Sequence, residues 1–161
     1  MDDQVNDPTD RTVQINQATQ PHFTITRVFD APRDVIWRAW TDPIQASVWW
    51  HPRGISTPAS SVHLDPRVGG HYSYTMVNDA TGEEYPTAGT YIEIDEPERL
   101  VFTWGNPGDE DAPVVSITLR DVGEQTEMIF HVDGIDGAPG DGNVFDGWSS
   151  AFGILTDELA D

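Results

Sequence analysis

The amino-acid sequence predicts an α+β domain in which one curved antiparallel sheet of about six to seven strands wraps around a long C-terminal helix. Three features of the 161-residue chain support this prediction. One alternating segment and two short helical patterns come first. A run of short alternating segments, separated by turn residues, fills the middle. A longer apolar stripe at helical spacing ends the chain.

The first elements are indicated by a change of period. In "HFTITRVF", which begins at His22, apolar and polar residues alternate and predict the first strand. In "DAPRDVIWRAW", Pro32 suits the first turn of a helix. The apolar residues on one face of that helix are Val35, Ile36, Ala39 and Trp40. A second short helix is predicted in "TDPIQASVWW", where Asp42 can cap and Pro43 can begin it.

The middle of the chain contains strands and turns. Six strand candidates are "SSVHLD", "GGHYSYTMV", "AGTYIEID", "RLVFTWG", "PVVSITLRDV" and "TEMIFHV". They are separated by turn segments such as "NDATGEE", "EPE" and "NPGDEDAP". Because such links are short, we expect neighbouring strands to pair antiparallel, as a meander.

The terminal helix is predicted after the loop "DGIDGAPGDG", with Asn143 as its cap. Its apolar stripe consists of Val144, Trp148, Phe152, Leu155 and Leu159. A helix of about 17 residues spans about 25 Å, enough to cross a curved sheet. It is the only predicted element long enough to cover the apolar face of that sheet.

Length and composition indicate one folded domain at residues 22–161, preceded by a flexible N-terminal arm at 1–21. No apolar run approaches the roughly 20 residues of a membrane span. Cysteine is absent, which excludes disulfides and thiolate chemistry. The acidic N-terminus is unlike a secretory signal, so we expect a cytoplasmic protein.

The charge balance is strongly acidic, with a net charge of −20 and eight basic residues, all of them arginine. Such a surface repels phosphates, so nucleic acid is not an expected partner. It also repels itself at low salt, and that repulsion is screened at high salt. The composition is therefore typical of a protein from a halophile with a salt-rich cytoplasm.

Several motifs resemble one known family. "TRVFDAPRDVIWRAWTDP", "VWWHPRG", "VGGHY", "YIEIDEPERLVFTW" and the pair Gly147–Trp148 are similar to those of homologues of the heat-shock protein 90 ATPase activator, C-terminal domain. That family belongs to the START-like (SRPBCC) superfamily. The resemblance covers roughly residues 22–160 and implies the helix-grip fold. Relatives of this kind include lipid carriers, chaperone-binding domains and polyketide cyclases, so it implies the fold more securely than the function.

The resemblance places "WWHP" beside the mouth of a cavity between the sheet and the terminal helix. Adjacent helical residues point about 100° apart, so we expect one of Trp49 and Trp50 to pack in the core and the other to line the cavity. Strand alternation and the last helix supply the other candidates. The predicted ligand-cavity residues are Trp49, Trp50, His51, Tyr72, Tyr74, Met76, Phe102, Trp104, Met128, Phe130, Trp148 and Phe152.

No metal site and no cofactor are predicted. The five histidines are scattered, without an i, i+4 pair. The residues that invite a calcium-loop interpretation are Asp133, Asp136, Asp141 and Asn143. Their spacing does not fit the EF-hand pattern, so we expect a solvated acidic loop that could act as a lid on the cavity.

Catalysis is weakly supported and no catalytic residue is assigned. No nucleophile motif such as GxSxG occurs. A cyclase-like mechanism would need an acid–base pair in the cavity, for example His71 with Tyr91 or Glu93.

The first hypothesis is therefore a non-enzymatic domain that binds a small apolar or amphipathic molecule in a pocket of at least about 300 Å³. A chaperone-associated module and a polyketide-cyclase-like enzyme are the alternatives, and a homodimer is left open.

Stability should depend on salt. We expect the free energy of unfolding to rise steeply between about 0.1 M and 2 M KCl, because screening weakens repulsion among the carboxylates. Thermal unfolding followed by tryptophan fluorescence across that range measures the effect. Equal stability in dilute buffer would contradict the halophile hypothesis.

Overall fold

The computed structural model describes residues 21–106, 108, 109 and 111–160. The predicted N-terminal arm therefore lies outside the described residues, apart from Pro21. In chain order the elements are β1 (His22–Phe29), α1 (Arg33–Thr41), α2 (Pro43–Trp49), β2 (Ile55–Ser56), a 3₁₀ turn (Ala59–Ser61), β3 (His63–Leu64), β4 (His71–Asn78), β5 (Glu84–Asp95), β6 (Arg99–Thr103), β7 (Val114–Val122), β8 (Gln125–Asp133) and α3 (Val144–Leu159).

The sheet is antiparallel throughout, with strand order β1-β8-β7-β6-β5-β4-β2. β3 also pairs with β4, on the side away from β5. The strands from β4 to β8 form the predicted meander, and β1 returns to pair with β8. A register shift between Tyr91 and Glu93 interrupts the β5–β6 ladder. Such a bulge increases local twist and so contributes to the curvature of the sheet. The predicted fold class is confirmed, with eight strands among the described residues.

Two short strands account for most of the difference from the prediction. β2 was not expected, and "SSVHLD" forms only the two-residue β3 after a 3₁₀ turn. That turn is held by Ser61, whose hydroxyl donates to the carbonyl oxygen of Pro58 at 2.7 Å. The local hydrogen bond competes with strand formation, as serine side chains commonly do in turns.

β5 also begins earlier than predicted, at Glu84, and includes Pro86. Proline normally argues against a strand because it lacks the N–H donor. Here residues 84–87 pair with β4, whereas the β6 ladder begins only at Tyr91. None of the described residues pairs with Pro86 on the side of β5 away from β4, so the missing donor costs no ladder bond to them.

The core lies between the sheet and the three helices. On α3 the side chains of Trp148, Phe152 and Leu155 are buried, while Val144 and Leu159 pack partly buried at the ends of the stripe. On α1 the indole of Trp40 is 1% exposed and contacts rings from α2, α3, β6 and β8. The predicted Asp42 cap is also present, since its Oδ1 accepts from the N–H groups of Ile44 and Gln45 at 2.9 and 3.2 Å.

The described helices do not include one that is long and apolar enough to cross a membrane.

Candidate functional site

A cavity with a volume of about 150 Å³ lies between the N-terminal half of α3, β4 and the residues that follow α2. Its lining residues are Trp50, His51, Pro52, Tyr74, Met76, Trp104, Asn143, Val144, Gly147, Trp148 and Ala151. The volume is about half of the 300 Å³ at which ordinary ligand pockets begin. The expectation of a larger pocket at this place was therefore wrong, because side chains fill more of the space.

The segment after α2 is fixed by one threonine. The Thr57 hydroxyl donates to the carbonyl oxygen of Trp50 at 2.9 Å and lies 3.1 Å from Nδ1 of His51. Burial lowers the pKa of His51, while the carboxylate of Asp79 opposes that shift. Since the neutral ring is favoured near neutral pH, the histidine adds a polar but uncharged group to the cavity wall.

Tyr74 and Trp104 supply a second polar group on the wall. Nε1 of Trp104 donates to the Tyr74 hydroxyl at 3.3 Å. Burial raises the pKa of Tyr74 to about 12, so the hydroxyl keeps its proton at neutral pH. Aromatic walls with a few uncharged polar groups suit an apolar molecule that carries little or no charge.

The structure divides the twelve predicted cavity residues into two groups. Those on the cavity wall are Trp50, His51, Tyr74, Met76, Trp104 and Trp148. Those in the packed core are Trp49, Tyr72, Phe102, Met128, Phe130 and Phe152, each 4% exposed or less. Facing rings interdigitate instead of leaving space, as shown by the 5.0 Å separation of the Phe130 and Phe152 ring centroids. Contact of any of these residues with a ligand stays a prediction.

The two adjacent tryptophans have different positions. The Trp49 indole is 1% exposed and donates to the carbonyl oxygen of Ala39 at 3.0 Å, which ties α2 to α1. The Trp50 ring turns towards β4 and lies 5.0 Å from the ring of Tyr74. One ring thus packs in the core and its neighbour forms a cavity wall.

The predicted cavity residues did not include the small residues that line the cavity. Gly147 and Ala151 lie four residues apart on α3 and line the cavity beside Trp148. A Cβ added at Gly147 would meet nothing within 4 Å. Small residues within an otherwise bulky helical stripe were the available signal for where space remains.

The acid–base pair of the cyclase hypothesis does not form. His71 is exposed, and its Nδ1 lies 3.1 Å from the Thr90 hydroxyl. Tyr91 is buried, and Glu93 accepts from Arg99 at 3.2 Å. Strand alternation places Thr90 and Tyr91 on opposite faces of β5, which separates the histidine from the tyrosine.

A larger hollow of about 540 Å³ lies beside β3, β4 and β5, where His63 and His71 are exposed. Its lining residues include Ser73, Thr90, Thr103 and Asp109, so its wall is more polar than that of the cavity beside α3. No group of three or more histidine, aspartate or glutamate side chains suited to a metal occurs among the described residues.

The acidic loop before α3 is organised by two carboxylates. Asp141 accepts from the N–H groups of Asn143 and Asp146 at 2.9 and 3.2 Å. Asp146 in turn accepts from Gly140 and Gly142 at 2.9 and 2.7 Å. The predicted side-chain cap by Asn143 is absent, and Asp141 takes that role. These bonds position Asn143 on the cavity wall, and a role of the loop as a lid stays a prediction.

An antiparallel sheet wrapped on a C-terminal helix, with a cavity between them, defines a START-like, helix-grip domain. The family model described as "Activator of Hsp90 ATPase homolog 1-like protein" matches residues 30–160, and the chain belongs to this family. A comparison with curated proteins finds no match.

Solved structures give the same fold. A protein from Chromobacterium violaceum has a TM-score of 0.76 at 26% identity, with 87% of this chain and 98% of that chain covered. A protein from Mycobacterium smegmatis has a TM-score of 0.72 at 27% identity, covering 87% and 91%. An HSP90 activator from Plasmodium falciparum has a TM-score of 0.56 at 22% identity, covering 73% and 76%. At 22% identity, the similarity to the protein from Plasmodium falciparum shows the fold alone.

Replacing Asp141 by alanine should lower the melting temperature at pH 7, because the loop loses its acceptor for backbone N–H groups. These bonds hold the pKa of the Asp141 carboxyl below its ordinary 3.8. The stabilisation is therefore complete above that value and is lost as the pH falls through the lower folded-state pKa. Thermal unfolding of both proteins from pH 7 to pH 2 measures the effect. The difference between their melting temperatures should shrink below pH 3.8.

Asp136→Ala, in the same loop, is the matched control and should change the melting temperature much less. An equal effect of the two substitutions would contradict the role assigned to Asp141.

Proposed function

We propose that this protein is a non-enzymatic binding protein whose cavity between the sheet and α3 holds a small apolar or amphipathic molecule. The observation that carries the proposal is the cavity wall itself, which combines the indoles of Trp50, Trp104 and Trp148 with the uncharged polar groups of His51 and Tyr74. Such walls bind by apolar contact and orient a ligand through a few hydrogen bonds.

The size of the cavity restricts the ligand. In another protein, an engineered apolar cavity of about 150 Å³ binds benzene or xenon. A cavity of about 150 Å³ here therefore fits one ring with a small substituent. This is smaller than the drug-sized ligands of pockets above about 300 Å³.

Filling the cavity should abolish binding while the fold is retained. In Gly147→Leu the new side chain enters the cavity from α3, where its Cβ meets nothing within 4 Å. Replacing a helical glycine also favours the helix by up to about 1 kcal/mol. We expect toluene to bind the natural protein in a calorimetric titration, and Gly147→Leu to show no binding and an unchanged or higher melting temperature.

Gly153→Leu is the matched control, because Gly153 lies on the same helix but outside the cavity, with only Nη2 of Arg53 within 4 Å of an added Cβ. It should bind toluene as the natural protein does. Absence of toluene binding to the natural protein, with its tryptophan fluorescence also unchanged, would overturn the proposal.

Association with a chaperone is the second candidate function. Family membership supports it, as does the similarity in fold to the HSP90 activator from Plasmodium falciparum. Such a partner would use the protein surface, so Gly147→Leu should leave any stimulation of heat-shock protein 90 ATPase activity intact. If the natural protein and Gly147→Leu both stimulate the ATPase activity, and the natural protein does not bind toluene, this candidate is favoured over the first. A cytoplasmic location and a homodimer remain predictions.

A further inference from the structure

Next to the cavity, six side chains enclose a narrow gap. They are Trp40, Trp50, Tyr72, Tyr91, Leu100 and Phe102. In the structure as it stands, this gap leaves no room for a water molecule. Trp50 lines both the gap and the cavity, so its indole ring is the partition between them.

Three of these six side chains carry a buried polar atom that lacks a hydrogen-bond partner among the described residues. The three atoms are Nε1 of Trp40, Nε1 of Trp50 and the hydroxyl oxygen of Tyr91. Their side chains are buried, with at most 5% exposure. Most buried polar groups in proteins are paired, because an unpaired donor costs stability. Three such side chains around one gap therefore point to a function of the gap.

The chemistry of the missing partner follows from these atoms. An indole N–H only donates, so a partner of the two tryptophans must accept. Burial raises the pKa of the Tyr91 hydroxyl, and the nearby carboxylate of Asp65 raises it further, so that hydroxyl also remains a donor. The partner is therefore an acceptor, and an oxygen with two lone pairs can pair with two of these donors.

The acceptor is also expected to be uncharged. All six side chains that enclose the gap are neutral. After burial, the next cause of the raised pKa of Tyr91 is the negative charge of Asp65. A carboxylate in this gap would lose its hydration without gaining a positive partner, which is costly in a buried site. A carbonyl oxygen accepts the same hydrogen bonds without that cost.

We propose that the gap is a carbonyl subsite of the cavity, so that the ligand is a small neutral ring compound bearing a carbonyl oxygen. When the Trp50 indole swings aside, the ring occupies the space beside Trp104 and Trp148. The carbonyl oxygen then accepts hydrogen bonds from the two donors that stay at the gap, Nε1 of Trp40 and the hydroxyl of Tyr91. This inference rests on the proposed binding function and specifies the chemical class of its ligand.

A pair of probes with the same shape tests the subsite. Acetophenone carries a carbonyl oxygen where α-methylstyrene carries a methylene group. In Tyr91→Phe we expect the dissociation constant of acetophenone to rise roughly threefold to tenfold, the value of one hydrogen bond. The dissociation constant of α-methylstyrene should stay the same. Isothermal titration calorimetry of both probes with both proteins gives the four constants.

Tyr72→Phe is the matched control on the same gap. The Tyr72 hydroxyl already donates to the carbonyl oxygen of Thr103 at 2.6 Å. This variant should therefore lose thermal stability but keep the ratio of the two dissociation constants. Tyr91→Phe, which removes a hydroxyl without a partner, should match or exceed the melting temperature of the natural protein.

The outcomes separate the two levels of the proposal. Binding of α-methylstyrene, with an acetophenone constant that Tyr91→Phe leaves unchanged, overturns the carbonyl subsite and leaves the binding function standing. A lower melting temperature of unliganded Tyr91→Phe, with an unchanged ratio, shows that the hydroxyl already has a partner in the free protein and also overturns the subsite. Failure of both probes to bind the natural protein overturns the binding function and the subsite together.

Discussion

The packing of the Trp40 indole holds together the parts of this domain that the chain supplies separately. Trp40 belongs to α1, and its ring meets Trp49 edge-on at a centroid distance of 4.6 Å. It also stacks on Phe130 of β8 at 6.1 Å and lies 5.9 Å from Trp148 of α3. Aromatic pairs of this kind contribute about 0.5–1.5 kcal/mol beyond the burial of their area. One side chain thus joins all three helices to the sheet.

This packing also determines where space is left for a ligand. Around Trp40 the facing rings of the sheet and α3 interdigitate, so that part of the interior is solid. Towards the N-terminal end of α3, Gly147 and Ala151 are too small to reach β4, and the cavity lies there.

Surface charge has little part in this arrangement. Ion pairs such as Arg53–Asp157, at 2.9 Å, are exposed and worth little, so the aromatic core supplies the stability.

Much of the fold was predictable because it depends on local patterns. Alternation at period two identified β1 and the meander strands, and helical spacing identified α1 and α3. The Asp42 cap was predictable from its position before Pro43. The errors fall where one local signal competes with another or with tertiary pairing. Ser61 replaces a strand by a 3₁₀ turn, and Asp141 takes the capping role expected of Asn143. Pro86 is tolerated because no described residue pairs with it on the side away from β4.

The sequence by itself determined the fold class and which residues face the interior, because periodicity depends only on neighbours along the chain. The tertiary structure decided whether an inward side chain borders a cavity or packs against another ring. Phe130 and Trp104 illustrate this, since both come from predicted strands but one is in the core and the other on the cavity wall. It also decided that Trp40, Trp50 and Tyr91 surround one gap. Such placement depends on contacts between residues far apart in the chain, which no local pattern encodes.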